Sequence, residues 1–386
     1  MRCTSNQNQQ MKRSASGKRQ TMSADGRARK QQGKRAHSDG NVKAKQAHLR
    51  KKRKRRQQRR ALVIGVLSVC LVFLLGIGIF FVLNGTDKEN TQVLSYETAH
   101  LNKKLYQDSL FAEKLCVTTG DVALEGFPGD ASLHAAGLFD IEKQQVLYGD
   151  RLFDRLYPAS TTKVMTALLV LKYGNLDDIV TVSENALNLE AEATVCGLQS
   201  GDKLSLYDLL CGLVIQSGND SAVAIAEHMF GSVEAFAQKM NEEALILGAT
   251  GSNFTNPHGL HDMNHYTTAY DLYLMFNACL KYEAFQDIIS MKSYASTVTG
   301  GEGSTRVLEW YPTNYYSAGI TPVPEGVTVF GGKTGTTNEA GSCVILYSQN
   351  EAGNPFISLV MGASDKEILY QDMSQILTTG VAVKSE

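Results

Sequence analysis

The chain has 386 residues, room for one large domain or two ordinary ones, and its 38 Lys+Arg against 39 Asp+Glu leave a net charge of −1. That neutrality is a cancellation: residues 1 to 60 hold 21 basic and 2 acidic side chains, leaving 17 basic and 37 acidic ones in the rest. Seven cysteines (Cys3, Cys70, Cys116, Cys196, Cys211, Cys279, Cys343) without a C-x-x-C argue against a zinc ribbon or a dense disulfide framework.

Residues 1 to 60 are rich in Lys, Arg, Gln, Ser and Gly and nearly free of large apolar side chains. They cannot bury enough surface to offset the entropy of ordering, which predicts a disordered basic tail. Its last stretch, Arg50 to Arg60, could in isolation be a nucleic-acid patch. The next 23 residues, Ala61 to Leu83, are uncharged. As a helix rising about 1.5 Å per residue they reach roughly 35 Å, enough to cross a bilayer core of about 30 Å with some tilt. No A-x-A cleavage site follows, so the stretch is predicted to be a retained transmembrane helix and not a signal peptide.

Basic flanks stay on the cytoplasmic side. The expectation is therefore a single-pass protein of the cell membrane with a cytoplasmic N-terminus and an extracellular body, residues 50 to 83 contacting membrane lipid and the tail binding no nucleic acid. Residues 84 to 130 read as an extracellular stalk and residues 131 to 386 as the folded extracellular domain. Within that domain most cysteines read as buried apolar residues, with a Cys196–Cys211 pair left open by the extracellular setting.

Ser132 to Phe139 and Gln145 to Tyr148 bracket Asp140-Ile141-Glu142-Lys143 as a hairpin. A proline-led turn, Tyr157-Pro158-Ala159, then opens a run of good helix formers from Ser160. Further helices are predicted over Leu204 to Ser217, Ser221 to Met229, Val233 to Leu247 and Ala269 to Tyr282. After a Gly-rich loop at residues 299 to 303, strands are predicted over Val327 to Gly332, Cys343 to Ser348 and Phe356 to Met361, then a closing helix over Lys366 to Leu377. Two strands, then helices, then three strands suit an α+β fold: an antiparallel sheet whose chain ends meet, flanked by helices.

Three short motifs stand out. Ser160 and Lys163 fall one helical turn apart, a hydroxyl beside an amine able to take its proton. Ser217-Gly218-Asn219, in a turn between two helical runs, adds a second hydroxyl and an amide that could relay a proton or hold a substrate amide. Lys333-Thr334-Gly335, at the end of a strand and followed by Thr336, offers a cation for a carboxylate and a glycine that lets a substrate backbone come close. Each alone is weak; in the order S-x-x-K, S-x-N, K-T-G they are the set of serine β-lactamases and penicillin-binding proteins.

With their surroundings, including Asn256-Pro257-His258-Gly259-Leu260 and His265-Tyr266-Thr267-Thr268-Ala269, these motifs make residues 130 to 380 resemble the D-alanyl-D-alanine carboxypeptidases, the low-molecular-mass penicillin-binding proteins. The resemblance implies a penicillin-binding-protein/β-lactamase-like transpeptidase fold and a substrate, peptidoglycan stem peptides ending in D-Ala-D-Ala, with β-lactams as covalent inhibitors. It implies Ser160 as the acylated nucleophile, Lys163 as its base, and Ser217 and Asn219 as proton relay and amide contact. Lys333, Thr334, Gly335 and Thr336 would bind substrate, with the N–H groups of Ser160 and Thr336 as oxyanion hole. No cofactor is implied.

The pattern also departs from the family. Some members place an Arg on the last helix to meet the substrate carboxylate, whereas Asp365 to Tyr370 contains none. A β-lactamase would need a deacylating glutamate after the second motif; Leu245 to Leu260 has none, and Glu190 and Glu192 precede Ser217. A non-hydrolytic β-lactam sensor would need a partner domain that residues 1 to 60 do not supply. His258 and His265 fit no zinc spacing and read as structural support, so no metal site is expected. Trp310, Tyr311, Tyr315 and Tyr316 read as packing residues in preference to a glycan-facing rim.

Overall fold

The computed structural model describes residues 114 to 382, except Glu192. The expected tail, transmembrane helix and most of the stalk lie outside the described residues. Among those described, no helix is long and apolar enough to cross a membrane.

The body is built on a five-stranded antiparallel sheet in the order β2-β1-β9-β8-β7. Its strands are β1 (Ala135–Asp140), β2 (Gln145–Asp150), β7 (Val327–Thr337), β8 (Gly341–Asn350) and β9 (Pro355–Ala363). The first hairpin therefore pairs with the last strand, β1 against β9 from Ala135↔Met361 to Asp140↔Phe356. Alternate side chains of the central strands enter two separate cores, because a strand points successive residues to opposite faces. Phe139, Ile345, Ile357 and Leu359 face the helical side. Leu138, Val344, Leu346 and Val360 face a second core closed by the last helix. With both faces covered, β8 and β9 read as continuous apolar runs.

The helical side holds α1 (Lys163–Tyr173), α2 (Leu206–Cys211), α3 (Asn219–Phe230), α4 (Val233–Leu247), α5 (Ala269–Cys279) and α6 (Glu283–Ser290). α7 (Lys366–Gly380) covers the other face of the sheet. Local chemistry sets the starts: Ser205 and Asp208 form a reciprocal capping box on α2, and Thr268 caps α5 through the Asp271 N–H. α1 is buried from Lys163 through Val170, which makes it the central helix.

Several expectations need correction. A second antiparallel sheet, ordered β3-β4-β5-β6, escaped the sequence reading: β3 (Ile179–Thr181), β4 (Lys203–Ser205), β5 (Tyr294–Thr299) and β6 (Thr305–Trp310). Two of these strands have only three residues, too few to show a period. The β5–β6 hairpin turns through the Gly-rich loop and buries only alternate residues. The run expected as one helix from Leu204 to Ser217 is instead the end of β4, then α2, then a π-helical turn at Gly212–Gln216. The helix expected to Tyr282 stops at Cys279, and α6 follows. Lys333-Thr334-Gly335 lies within β7 and not at its end.

The body also takes in residues ahead of 131. Cys116 is buried, its Sγ 3.2 Å from the Asp140 carbonyl, and Phe127 packs edge-on against Tyr148. Cys196 and Cys211 are separate free thiols, so the pairing left open does not form. Trp310 and Tyr316 are buried and Tyr315 stacks on Tyr370 at 4.7 Å, while Tyr311 is exposed.

Candidate active site

Ser160 sits in a 3-10 turn, Ala159–Thr162, and not in the α-helix itself. Ala159 has φ 45°, one of four positive-φ residues other than glycine among the described residues, and Thr161 ties the turn back to the Pro158 carbonyl through its Oγ1 at 2.6 Å. A non-glycine residue in this region carries strain that surrounding contacts must hold. Those contacts come from the segment after α4. Gly259 lies so close that a Cβ there would meet the Ala159 carbonyl oxygen at 1.8 Å, Thr166 Oγ1 donates to the Pro257 carbonyl at 2.6 Å, and Thr162 Oγ1 bonds His265 Nε2 at 2.8 Å.

Lys163, the first residue of α1, is fully buried. Its Nζ lies 2.9 Å from Ser160 Oγ, 2.6 Å from Asn219 Oδ1 and 2.8 Å from the His258 carbonyl oxygen. Burial holds its pKa well below the usual lysine value; the nearby Lys333 cation adds to this, while Cys196 and Asp220 oppose it. In the neutral form that burial favours, Asn219 Oδ1 and the His258 carbonyl, which only accept, would take both hydrogens of the NH2 group and leave its lone pair toward the Ser160 hydroxyl.

Ser217 ends the π-helical turn with φ 66°, and Asn219 begins α3 two residues later. The left-handed residue turns the chain sharply enough to aim both side chains at one point. Lys333 Nζ donates to Ser217 Oγ at 2.8 Å and to the Thr334 carbonyl at 2.8 Å. Lys333 is buried, which lowers its pKa to about 7. Two of its hydrogens are thus directed to Ser217 and to its own strand. A Cβ on Gly335 would meet the Ser160 N–H nitrogen at 2.8 Å, so only glycine lets this strand pass the turn. Thr336 is the exposed residue that follows, and Thr334 Oγ1 lies 2.6 Å from Thr313 Oγ1.

Sequence reasoning missed the group that fixes the second motif. The buried Asp220 carboxylate accepts the N–H groups of Cys196 at 2.8 and 2.9 Å, of Leu198 at 3.2 Å and of Ser221 at 2.9 Å. Asn219 N–H in turn donates to the Thr194 carbonyl at 2.8 Å. A strap from Thr194 to Leu198 is thereby clasped to the start of α3. Nothing in the sequence pairs residues this far apart, although an acidic residue just inside a helix start was a visible signal.

His258 and His265 are supports, as expected. His265 Nδ1 accepts from the Thr255 N–H at 3.1 Å and His258 Nδ1 from the Leu260 N–H at 3.1 Å, and burial pulls their pKa values down to about 4 and about 3. Among the described residues no cluster of His, Cys, Asp and Glu could hold a metal ion.

A family model described as D-alanyl-D-alanine carboxypeptidase matches residues 127–365, more than half of the chain. The chain belongs to that family. It is 32% identical over 269 residues to D-alanyl-D-alanine carboxypeptidase DacF of Bacillus subtilis, which covers 67% of this chain and 63% of the relative; it thus spans less than two thirds of DacF. Its fold is that of the Streptomyces K15 DD-transpeptidase (TM-score 0.61, 27% identity, 66% of this chain and 99% of the other). It is also that of a D-alanyl-D-alanine carboxypeptidase from Mycobacterium tuberculosis (TM-score 0.59, 27% identity, 69% and 98%). The two sheets and flanking helices of this carboxypeptidase-family chain are therefore the penicillin-binding-protein fold.

Proposed function

We propose that the chain is a membrane-anchored serine D-Ala-D-Ala carboxypeptidase that removes the last residue of peptidoglycan stem pentapeptides through an acyl-enzyme on Ser160. The observation that carries this is the fully buried Lys163 Nζ 2.9 Å from Ser160 Oγ, held there by Asn219 Oδ1 and the His258 carbonyl, where its neutral form can take the Ser160 proton. Ser160 Oγ attacks the carbonyl carbon of the penultimate D-Ala while its proton passes to Lys163 Nζ. The N–H groups of Ser160 and Thr336 hold the oxyanion, each such donor being worth about 3 kcal/mol of barrier. Collapse breaks the peptide bond, and the leaving D-Ala nitrogen takes that proton from Lys163 through Ser217 Oγ, which Lys333 orients, so Lys163 is an amine again. Water then attacks the ester, giving a proton to the Lys163 amine, which passes it to the departing Ser160 oxygen and regenerates the serine.

β-Lactams would acylate the same oxygen and stay, since Glu190 is solvent-exposed and the stretch from Leu245 to Leu260 contains no glutamate. The membrane anchor and the extracellular placement rest on the uncharged run Ala61 to Leu83 behind its basic flank.

Incubating the purified chain with a pentapeptide ending in D-Ala-D-Ala is expected to yield tetrapeptide and free D-Ala, and Ser160→Ala is expected to abolish both that release and labelling by a fluorescent penicillin. Full labelling of the Ser160→Ala variant would sink the assignment. The likeness to a protein named as a transpeptidase supports a second fate for the acyl group, transfer to an amine, which would show as a cross-linked dimer.

A further inference from the structure

A substrate ending in a carboxylate has to be met by donors or cations. Each of the three arginines among the described residues is engaged elsewhere: Arg151 with Asp150, Arg155 over the Tyr266 ring, and Arg306 with Asp202. Lys333 directs two of its hydrogens to Ser217 and the Thr334 carbonyl. Beside it the third motif offers the Thr334 hydroxyl, 2.6 Å from the Thr313 hydroxyl.

We propose that Thr313 is a positioning residue that makes the site selective for ligands with a free carboxylate, by directing the Thr334 hydrogen toward the ligand. The proposal rests on the carboxypeptidase reading above. A hydroxyl has one hydrogen. When Thr313 donates to the Thr334 oxygen, the Thr334 hydrogen is free for the ligand, and the donation polarises that O–H into a better donor. A carboxylate, which only accepts, selects this arrangement.

The loop that carries Thr313 is built to hold it. Pro312 fixes the backbone just before it. Asn314 Oδ1 accepts the Tyr316 N–H at 3.1 Å and its Nδ2 donates to Ser317 Oγ at 3.1 Å. The Tyr315 N–H donates to the hydroxyl of Tyr370 on α7 at 2.9 Å, so the loop is pinned to the far side of the sheet. Thr313 is therefore placed by elements that take no part in the chemistry.

The test compares second-order acylation of the full chain by a penicillin and by its carboxyl methyl ester, in wild type, Thr313→Val and Thr313→Ser. Valine keeps the shape and removes the hydroxyl. The expected result is about a tenfold loss for Thr313→Val with the free acid, a size typical of one hydrogen bond to a charged group, no change with the ester, and near wild-type rates for Thr313→Ser. With the D-Ala-D-Ala peptide the loss should fall on KM and spare kcat. Equal slowing of acid and ester, or an unchanged acid rate, would overturn the proposal. Failure of the carboxypeptidase reading shows separately, as absence of D-Ala release from the wild type while the acid-over-ester comparison still decides Thr313.

Discussion

The chemistry proposed for Ser160 turns on whether Lys163 is an amine or an ammonium. Its pKa is pulled down chiefly by burial, then by Lys333, against Cys196 and Asp220. Acylation should accordingly fall as pH drops through that lowered value, because a protonated Lys163 has no lone pair for the Ser160 hydrogen. Asp220 is the buried carboxylate that favours the protonated form. Asp220→Asn is expected to move the acid limb of the acylation profile to lower pH, while loss of its clasp on the Thr194–Leu198 strap slows the plateau rate. A plateau loss with an unmoved limb would mean that Asp220 acts on geometry alone. At this scale, the residues that carry side-chain chemistry were legible as motifs. What could not be read were backbone partners: the His258 carbonyl beside Lys163 and the Cys196 and Leu198 N–H groups on Asp220 exist only once the chain has folded.

β7 carries the third motif, and it passes the Ser160 turn with no room for a side chain. Gly335→Ala places a methyl 2.8 Å from the Ser160 nitrogen, against backbone that cannot yield without moving the nucleophile. Penicillin acylation of that variant should fall at least a hundredfold, a loss on the scale of about 3 kcal/mol of transition-state stabilisation, with the far-UV circular dichroism of the wild type retained. Long elements with a clear period, such as α4 and β9, were readable from sequence. The glycines at Gly331, Gly332 and Gly335 do not end the strand that carries the third motif. They mark a strand packed closely against other backbone instead: a Cβ on Gly332 would meet the Ile345 carbonyl oxygen at 1.9 Å. The π-helical turn before Ser217 carries no local signal, since its Leu213-Val214-Ile215 run suits any buried helix.

On the scale of the molecule, two cores share one sheet, and each depends on it. Leu359→Ala, at a fully buried position in the middle of β9, should cost about 3 kcal/mol in a denaturant titration, the usual range for a cavity of that size. The buried lysines also burden stability. Lys333, lowered by burial to about 7 from 10.5, binds fewer protons folded than unfolded between those values, so the free energy of unfolding should rise with pH above about 7. The rise should fade near pH 8.5, where thiols titrate in the unfolded chain while the buried cysteines hold their protons in the folded one. Lys333→Met should flatten the climb between pH 7 and 8.5, and a slope equal to wild type would refute this assignment. The α+β class and the return of the last strands to the first hairpin were legible from the order of elements. The second sheet was not, because its strands are short or half-exposed.

The account stands on Ser160 as the atom that becomes acylated. Trypsin cleavage after Arg155 and Lys163 isolates residues 156 to 163, so peptide mass mapping of the penicillin-treated chain locates the adduct directly. The expected result is one penicilloyl group on that peptide, fragmenting to Ser160, and absent from Ser160→Ala. An adduct on another residue, or none at saturating penicillin, would contradict it.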